Sequence, residues 1–243
     1  MANLRRVRIA AVTTEASTIA ANLGRVRERI VRAASRAGRR ADQITVVAVS
    51  KTFPPDAIRA AYEAGLRHFG ENRVQEFETK QAAVADLDAT WHFIGRLQSN
   101  KARRAAHLFS RVDSVDSLSL AQKLDAAAAA ERKRLPVLIE VHVGGEATKG
   151  GVAEADLPAL AKGVVALPQL EMLGLMAIPP YSDEPERVRP YFQRLRELRD
   201  NLSGRLEWPL PVLSMGMSHD FEAAIEEGAT EIRIGTALFG ERP

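Results

Sequence analysis

Residues 44–51 read ITVVAVSK, a nearly unbroken apolar and β-branched run that ends in a lysine. Such a run is typical of a strand buried on both faces, as the strands of parallel sheets are. The segment FPPDAIRAAYEAG follows directly, with prolines and Asp56 marking a helix start and Gly65 a helix end. A buried strand followed at once by a helix is the repeating unit of an α/β fold.

The same alternation extends in both directions. Upstream, apolar residues recur at helical spacing and predict an amphipathic helix near 14–37; they are Ile19, Leu23, Val26 and Ile30. Downstream, apolar runs predict seven further strands, at 66–70, 91–95, 110–115, 135–143, 171–177, 209–215 and 230–235. Helical stretches separate them, at 73–86, 99–107, 117–134, 153–166, 185–201 and 218–227.

Regular strand–helix alternation indicates parallel strands joined by right-handed crossovers. Eight such units in 243 residues favour a closed barrel over an open sheet. The most loop-like segment, PPYSDEPERVRP (179–190), suits a loop at the barrel mouth better than a domain boundary. We therefore expect an α/β protein with one (β/α)8 TIM-type barrel, and a single domain over residues 1–243.

Composition excludes several classes of protein. The absence of cysteine excludes disulfides, a thiolate nucleophile and a cysteine-based zinc site. No apolar run is long enough for a signal peptide or a membrane span, so we expect a cytoplasmic protein with no membrane partner. A net charge of only +3 and 5% aromatic residues argue against a nucleic-acid partner.

Lys51 ends the first predicted strand, so it would point to the mouth of the barrel, where active sites of this fold lie. Partial desolvation there would lower the pKa of its amine and make it nucleophilic. A solvated lysine at a strand end is the alternative.

Two small-residue loops follow the last two strands: LSMGMSHD (213–220) and IRIGTALFG (232–240). Barrels often bind phosphate with these two loops and a short helix. Gly216, Ser218, Gly235 and Thr236 would let backbone N–H groups and hydroxyls approach an anion. Either loop alone is also explained by ordinary turn and capping chemistry.

Arg233 lies between Ile232 and Ile234, and alternation turns those two toward the helices and Arg233 toward the barrel interior. A guanidinium there needs a partner, because an unpaired buried charge is costly. That partner is either an interior carboxylate, Glu231 or Glu140, or a ligand acceptor such as a pyridine nitrogen.

Other kinds of site find little support. The histidines have no metal-ligand spacing, and His68 and His92 suit packing or hydrogen bonding within strands. There is no Ser/His/Asp order, no identifiable carboxylate pair, and no glycine-rich dinucleotide or P-loop motif.

Read together, these segments resemble the pyridoxal 5′-phosphate (PLP) homeostasis protein family, whose fold is similar to the N-terminal barrel of alanine racemases, a fold type III PLP architecture. The matching stretches are VAVSKTFP around Lys51, HFGENRVQE (68–76), WHFIGRLQSNK (91–101), VDSVDS (112–117), GLMAI (174–178), LSMGMSHDFEAAI (213–225) and IRIGTALFGER (232–242).

The resemblance implies PLP as cofactor, held as a Schiff base on Lys51. Ser218, Gly235 and Thr236 would hold its phosphate, with Ser214 and Met215 in the same loop. Arg233 would face the pyridine nitrogen, and Asn72 and Met176 would line the pocket, with His92 and Ile94 as weaker candidates.

The resemblance also implies a carrier more than an enzyme. A guanidinium opposite the ring nitrogen disfavours its protonation and weakens carbanion stabilisation, although racemases also place an arginine there. Racemases add a C-terminal domain with a catalytic tyrosine, whereas this chain ends at Pro243 and none of Tyr62, Tyr181 and Tyr191 matches that tyrosine. We expect a PLP homeostasis protein without catalysis of its own, with amino-acid racemisation as the alternative.

Residues 141–151 depart from the family pattern. Glu146, Lys149 and Gly151 keep its E-x-x-K-x-G spacing, whereas His142 replaces an asparagine, so Lys149 is expected to be a solvated loop lysine. Apo-enzymes that need PLP are the expected recipients, and a monomer is expected, with a dimer as the alternative. A barrel that binds another phosphorylated metabolite noncovalently, or a scaffold, are the remaining hypotheses.

Overall fold

The computed structural model describes residues 2–144 and 150–241. Its strands are β1 (Thr45–Val49), β2 (His68–Glu71), β3 (Thr90–Phe93), β4 (Arg111–Val115), β5 (Leu135–His142), β6 (Val152–Ala153), β7 (Leu170–Met176), β8 (Val212–Ser214) and β9 (Glu231–Ile234). Its α-helices are α1 (Ala2–Arg36), α2 (Pro55–Glu63), α3 (Val74–Val84), α4 (Ala102–Leu108), α5 (Leu118–Ala130), α6 (Leu157–Val165), α7 (Arg189–Leu206), α8 (Phe221–Glu226) and α9 (Thr236–Phe239). Short 3-10 turns cover Ala41–Gln43, Ser99–Lys101 and Pro185–Arg187.

The sheet is a closed parallel barrel. The strand order is β4-β3-β2-β1-β9-β8-β7-β5, and β4 also pairs with β5, which closes the ring of eight. Every pairing between described strands is parallel. The predicted (β/α)8 barrel is confirmed.

Three elements differ from the expectation. The two-residue strand β6 pairs with the end of β5 and is too short to leave a periodic signal. The strand predicted over 209–215 begins only at Val212, because Pro209 and Pro211 have no N–H to donate to a neighbouring strand. Helix α1 begins at Ala2, well before the apolar repeat that predicted it.

The main core lies between the barrel and its helices. Ile232 and Ile234 belong to it, together with the predicted inward face of α1, namely Ile19, Leu23, Val26 and Ile30. Gly174 allows β7 to lie against β8, because a Cβ there would come within 1.8 Å of the Val212 carbonyl oxygen. None of the described helices is both long enough and apolar enough to cross a lipid bilayer.

Candidate functional site

The ends of the first and last strands of the barrel meet. Strand β1 pairs with β9 in a register that sets Val47 beside Arg233 and Ala48 beside Ile234. Continuing this register, Gly235 packs on Val49, and a Cβ on Gly235 would lie 3.6 Å from the Val49 Cβ. Lys51 is two residues beyond Val49, so it leaves the barrel next to the turn that opens α9.

The two loops expected to bind phosphate are joined to each other. The backbone N–H groups of Gly235 and Ala237 both donate to Ser218 Oγ, each at 3.3 Å. Gly216 has φ +93°, and a Cβ there would lie 2.6 Å from that of Ala224, so this position requires glycine. The turn therefore gathers backbone donors and a hydroxyl at one place, at the carboxyl end of the barrel.

A second joint connects the Lys51 turn with the last helix. The ring of Phe53 stacks on the ring of Phe239 in α9, with centroids 4.8 Å apart. The turn from β1 to α2 therefore contacts the last helix through Phe53 and Phe239, in addition to the packing of Gly235 on Val49.

Arg233 is buried in the barrel interior, as alternation predicted. Its guanidinium donates to Ser214 Oγ and to the Ala177 carbonyl, both at 2.8 Å. Met176 is the register partner of Ser214, so it lies in the same part of the barrel. Burial lowers the pKa of Arg233, and nearby carboxylates, Glu231 foremost, oppose that shift; an arginine nevertheless remains charged in proteins.

The two carboxylates considered as partners of Arg233 both lie near it and act on it through their charge. Glu231 is bound by Arg111, at 2.6 Å to Oε1 and 2.5 Å to Oε2. Burial raises the pKa of the Glu140 carboxyl, and the nearby Arg233 charge opposes that shift.

Met215 and Asn72 are less centrally placed. The Met215 side chain packs in the core between barrel and helices, and its N–H donates to the Glu231 carbonyl at 3.1 Å. Asn72 lines a cavity of about 1070 Å³ over the ends of β2, β3 and β4, a wall that also carries Arg73, Arg96 and Lys101. The lining of this cavity comes from the end of β3 and from the segments that follow β2, β3 and β4, and not from the Lys51 turn or the loops after β8 and β9.

A buried polar network crosses the barrel interior, and the sequence did not predict it. Arg111 binds Asp113 through Nε at 2.5 Å and Nη2 at 2.9 Å, in addition to Glu231. His92 Nδ1 lies 3.2 Å from Asp113 Oδ2, and His92 Nε2 lies 3.0 Å from His68 Nδ1.

The network lies toward the amino ends of the strands, since its residues Arg111, His68 and Glu231 each open their strand. In such barrels that end serves stability rather than chemistry. His92 therefore belongs to this network, as its interpretation as a hydrogen-bonding residue predicted, and its place as a weaker pocket candidate came only from the family resemblance. His92, Asp113 and Glu231 have ligand atoms within 4.8 Å of one another, but the Arg111 cation already bridges the two carboxylates.

The loop predicted to lie at the barrel mouth contacts the β8 loop. The ring of Tyr181 packs on His219, with centroids 4.9 Å apart, although Tyr181 itself is largely exposed. Glu146 and Lys149, singled out by the spacing after β5, lie outside the described residues.

Comparison with known proteins places the chain in a family. The family described as alanine racemase, N-terminal domain, matches residues 21–243. A pyridoxal phosphate homeostasis protein of Aquifex aeolicus is 53% identical over 220 residues, covering 90% of this chain and 96% of that protein. The chain belongs to the pyridoxal phosphate homeostasis protein family. A homeostasis protein of Pseudomonas aeruginosa is 52% identical over 226 residues, covering 93% of this chain and 96% of its own.

Solved structures agree with this membership. PipY of Synechococcus elongatus, solved with PLP bound, is 40% identical with a TM-score of 0.81, covering 91% of this chain and all of PipY. Alanine racemase of Corynebacterium glutamicum is only 17% identical with a TM-score of 0.71, covering 93% of this chain and 62% of the racemase, so that likeness concerns the fold alone. The homeostasis family thus shares the racemase barrel, as the sequence resemblance implied.

Proposed function

We propose that this chain binds PLP at the carboxyl end of its barrel, as a Schiff base on Lys51, and takes up and releases it as an intracellular PLP homeostasis protein. The observation that carries the proposal is the convergence of the Gly235 and Ala237 N–H groups on Ser218 Oγ, beside the end of the strand that leads into Lys51. The PLP bound to PipY supports the choice of ligand.

The residues present fit this cofactor. A phosphate needs several hydrogen-bond donors on one side. The backbone N–H groups of Gly235 and Ala237, which donate to Ser218 Oγ here, would turn to the phosphate, and the hydroxyls of Ser218 and Thr236 would add to them. Met215 would contribute only the backbone of the same loop, since its side chain is in the core.

The remaining residues would position the ring. Arg233 would face the pyridine nitrogen, held in place by Ser214 and the Ala177 carbonyl. Met176 and Asn72 would line the pocket.

The role of Arg233 favours holding the cofactor over using it. PLP, when bound, supplies an electron sink whose strength depends on protonation of its ring nitrogen. A guanidinium is a permanent donor and cannot give that nitrogen a proton, so it would keep the sink weak. We therefore propose that the protein is not an enzyme. We propose further that it works in the cytoplasm as one domain and a monomer, and that PLP-requiring apo-enzymes receive the cofactor from it.

Racemisation of amino acids is the second candidate, because the family shares its barrel with alanine racemases. It predicts that wild-type protein with PLP exchanges the α-hydrogen of alanine or serine for solvent deuterium. Absence of exchange in NMR spectra, beside a racemase as positive control, would remove this candidate.

The deciding experiment is the visible spectrum of the purified protein with PLP, before and after borohydride, followed by peptide mass analysis. We expect an imine band that borohydride removes and a pyridoxyl adduct on Lys51. Lys51→Ala should lose both, whereas Lys123→Ala, which changes an exposed helix lysine, should keep them. Unchanged PLP binding by Lys51→Ala would instead support a barrel that binds a phosphorylated metabolite without a covalent bond.

A further inference from the structure

A buried charged cluster lies on the helix-facing side of β1 and β2, directly behind the Lys51 turn. It consists of Lys80 from α3, Glu71 from the end of β2, and Glu76 from the first turn of α3. Lys80 Nζ lies 3.2 Å from Glu71 Oε1 and 2.7 Å from Glu76 Oε1. The side chains of Lys80 and Glu71 are 8% and 0% exposed, so these charges have little access to water.

The cluster binds the backbone on both sides of Lys51. Lys80 Nζ donates to the Ser50 carbonyl at 3.1 Å, and the Thr52 N–H donates to Glu76 Oε1 at 2.6 Å. Ser50 itself is fully buried, and its hydroxyl donates to Glu71 Oε1 at 2.7 Å. The residues before and after Lys51 are therefore each held by a charged side chain.

The turn needs such support. Thr52 has φ +70°, a left-handed conformation that is unfavourable for a β-branched residue. A residue in such a conformation persists only where its surroundings fix it. Hydrogen bonds to charged groups are stronger than neutral ones, and these lie where the chain turns from β1 into α2.

The cluster also carries a cost that folding alone does not explain. Burial raises the pKa of the Glu71 carboxyl, against the opposing effects of Lys80 and Ser50. Removing the Glu71 carboxylate and the Lys80 ammonium from water is expensive, and apolar residues of the same size often serve stability as well. An apolar replacement, however, could not bind the Ser50 carbonyl and the Thr52 N–H.

We infer that Lys80 and Glu76 are positioning residues, which fix the backbone on either side of Lys51 so that its amine emerges where PLP is bound. This inference rests on the proposed function and adds to it a charged support outside the pocket. Glu71 orients Lys80 and Ser50, since both donate hydrogen bonds to its carboxylate. Because Lys80 is enclosed by these groups, its amine acts on the turn and not on the cofactor.

Glu76 offers the sharpest test, since it is partly exposed and its Oε1 accepts both from Thr52 N–H and from Lys80. Glu76→Gln keeps an oxygen at that position, whereas Glu76→Ala removes it. We expect Glu76→Ala to weaken PLP binding about tenfold, the size of one lost charge-assisted hydrogen bond, and Glu76→Gln, which keeps an acceptor without its charge, to weaken it only about threefold. The assay is titration of the imine band, with its pH midpoint and the borohydride-trapped fraction on Lys51 recorded for each protein.

Lys80→Met should show a larger loss, and Lys133→Met is its matched control. Lys133 is partly buried and, like Lys80, donates to a backbone carbonyl, that of Phe109 at 3.3 Å, but at the opposite end of the barrel. We expect Lys133→Met to bind PLP as wild type does.

Circular dichroism and thermal unfolding without PLP separate positioning from folding. Should Lys80→Met fail to fold, the comparison of Glu76→Ala with Glu76→Gln tests the inference by itself. Wild-type affinity and an unshifted imine band in Glu76→Ala, or equal losses in Glu76→Ala and Glu76→Gln, would overturn the inference while leaving the proposed function intact. Absence of any Lys51 adduct in wild type would overturn both.

Discussion

Replacing Arg111 with methionine should destabilise the barrel strongly, and by an amount that depends on pH. The guanidinium is the cation that binds Asp113 and Glu231, which are 0% and 3% exposed. Methionine fills similar volume but leaves two carboxylates buried without their cation. Breaking a buried pair in this way costs about 3–5 kcal/mol. For a chain of this length, that corresponds to a decrease in Tm of about 10 °C.

The pH dependence follows from Asp113. Complete burial would by itself raise the pKa of this carboxyl, but Arg111 and His92 hold it well below its ordinary range. A lowered folded-state pKa contributes stability above the unfolded-state value, near 4, and that stability is lost only as pH falls through the folded-state value. The wild type therefore keeps this contribution throughout pH 5–7.

In Arg111→Met, burial acts on Asp113 without the opposing cation, so its folded-state pKa should rise above the ordinary value. The loss of stability caused by the unpaired buried carboxylate is then largest at pH 7, and it becomes smaller as acid protonates Asp113. In urea unfolding, the free energy of unfolding of the variant should lie closer to that of the wild type at pH 5 than at pH 7. We expect the difference between the two proteins to be smaller at pH 5 by about 1 kcal/mol or more. Adding Asp113→Asn to the variant should recover part of the loss at pH 7.

Arg104→Met is the control, because its pair with Glu78 is well exposed and should change stability by less than about 0.5 kcal/mol. A gap below about 1 kcal/mol for Arg111→Met at pH 7 would refute the reasoning. A gap that is equal at both pH values would also refute it.

Three further substitutions test separate features. Gly174→Ala should give little soluble protein, since its Cβ would meet the Val212 carbonyl oxygen; Gly204→Ala, with open space around it, should fold normally by circular dichroism, and equal yields would contradict the packing argument. Ser218→Ala should weaken PLP binding about tenfold with little change in Tm, measured by imine titration; unchanged affinity would remove Ser218 from the proposed phosphate site. Trp208→Phe should cost about 1 kcal/mol in urea unfolding by losing the Nε1 bond to the Met172 carbonyl, and an unchanged free energy of unfolding would show that this bond does not stabilise the fold.

The fold was predictable because its signals are local. Most barrel strands lie in or beside short apolar runs, and each strand of the ring is followed by a helix before the next begins, so the repeat is visible without any knowledge of contacts. The inward direction of Arg233 followed from strand alternation, and the packing of Ile232 and Ile234 confirms it.

The polar interior was predictable only in part. Arg111 and Asp113 are two residues apart in one strand, which places them on one face, and that signal went unused. The hydrogen bond from Arg111 to Glu231 joins β4 to β9, and no local sequence pattern predicts it. The i,i+4 spacing of Glu76 and Lys80 is a weak sequence signal for an ion pair, because such pairs usually lie on the solvated face of a helix. The burial of Lys80 depends on how α3 packs against the barrel, which the local sequence does not indicate.

The pairing of β1 with β9 has a consequence for the order of events in biosynthesis. The residues proposed to bind the phosphate follow the last strand, whereas the lysine proposed to bind the aldehyde follows the first. A nascent chain emerges N-terminus first, so Lys51 is exposed to the cell long before Gly235 has been made. Tight binding through both groups would therefore await ring closure, and we expect partly synthesised chains to bind PLP much more weakly than the finished barrel.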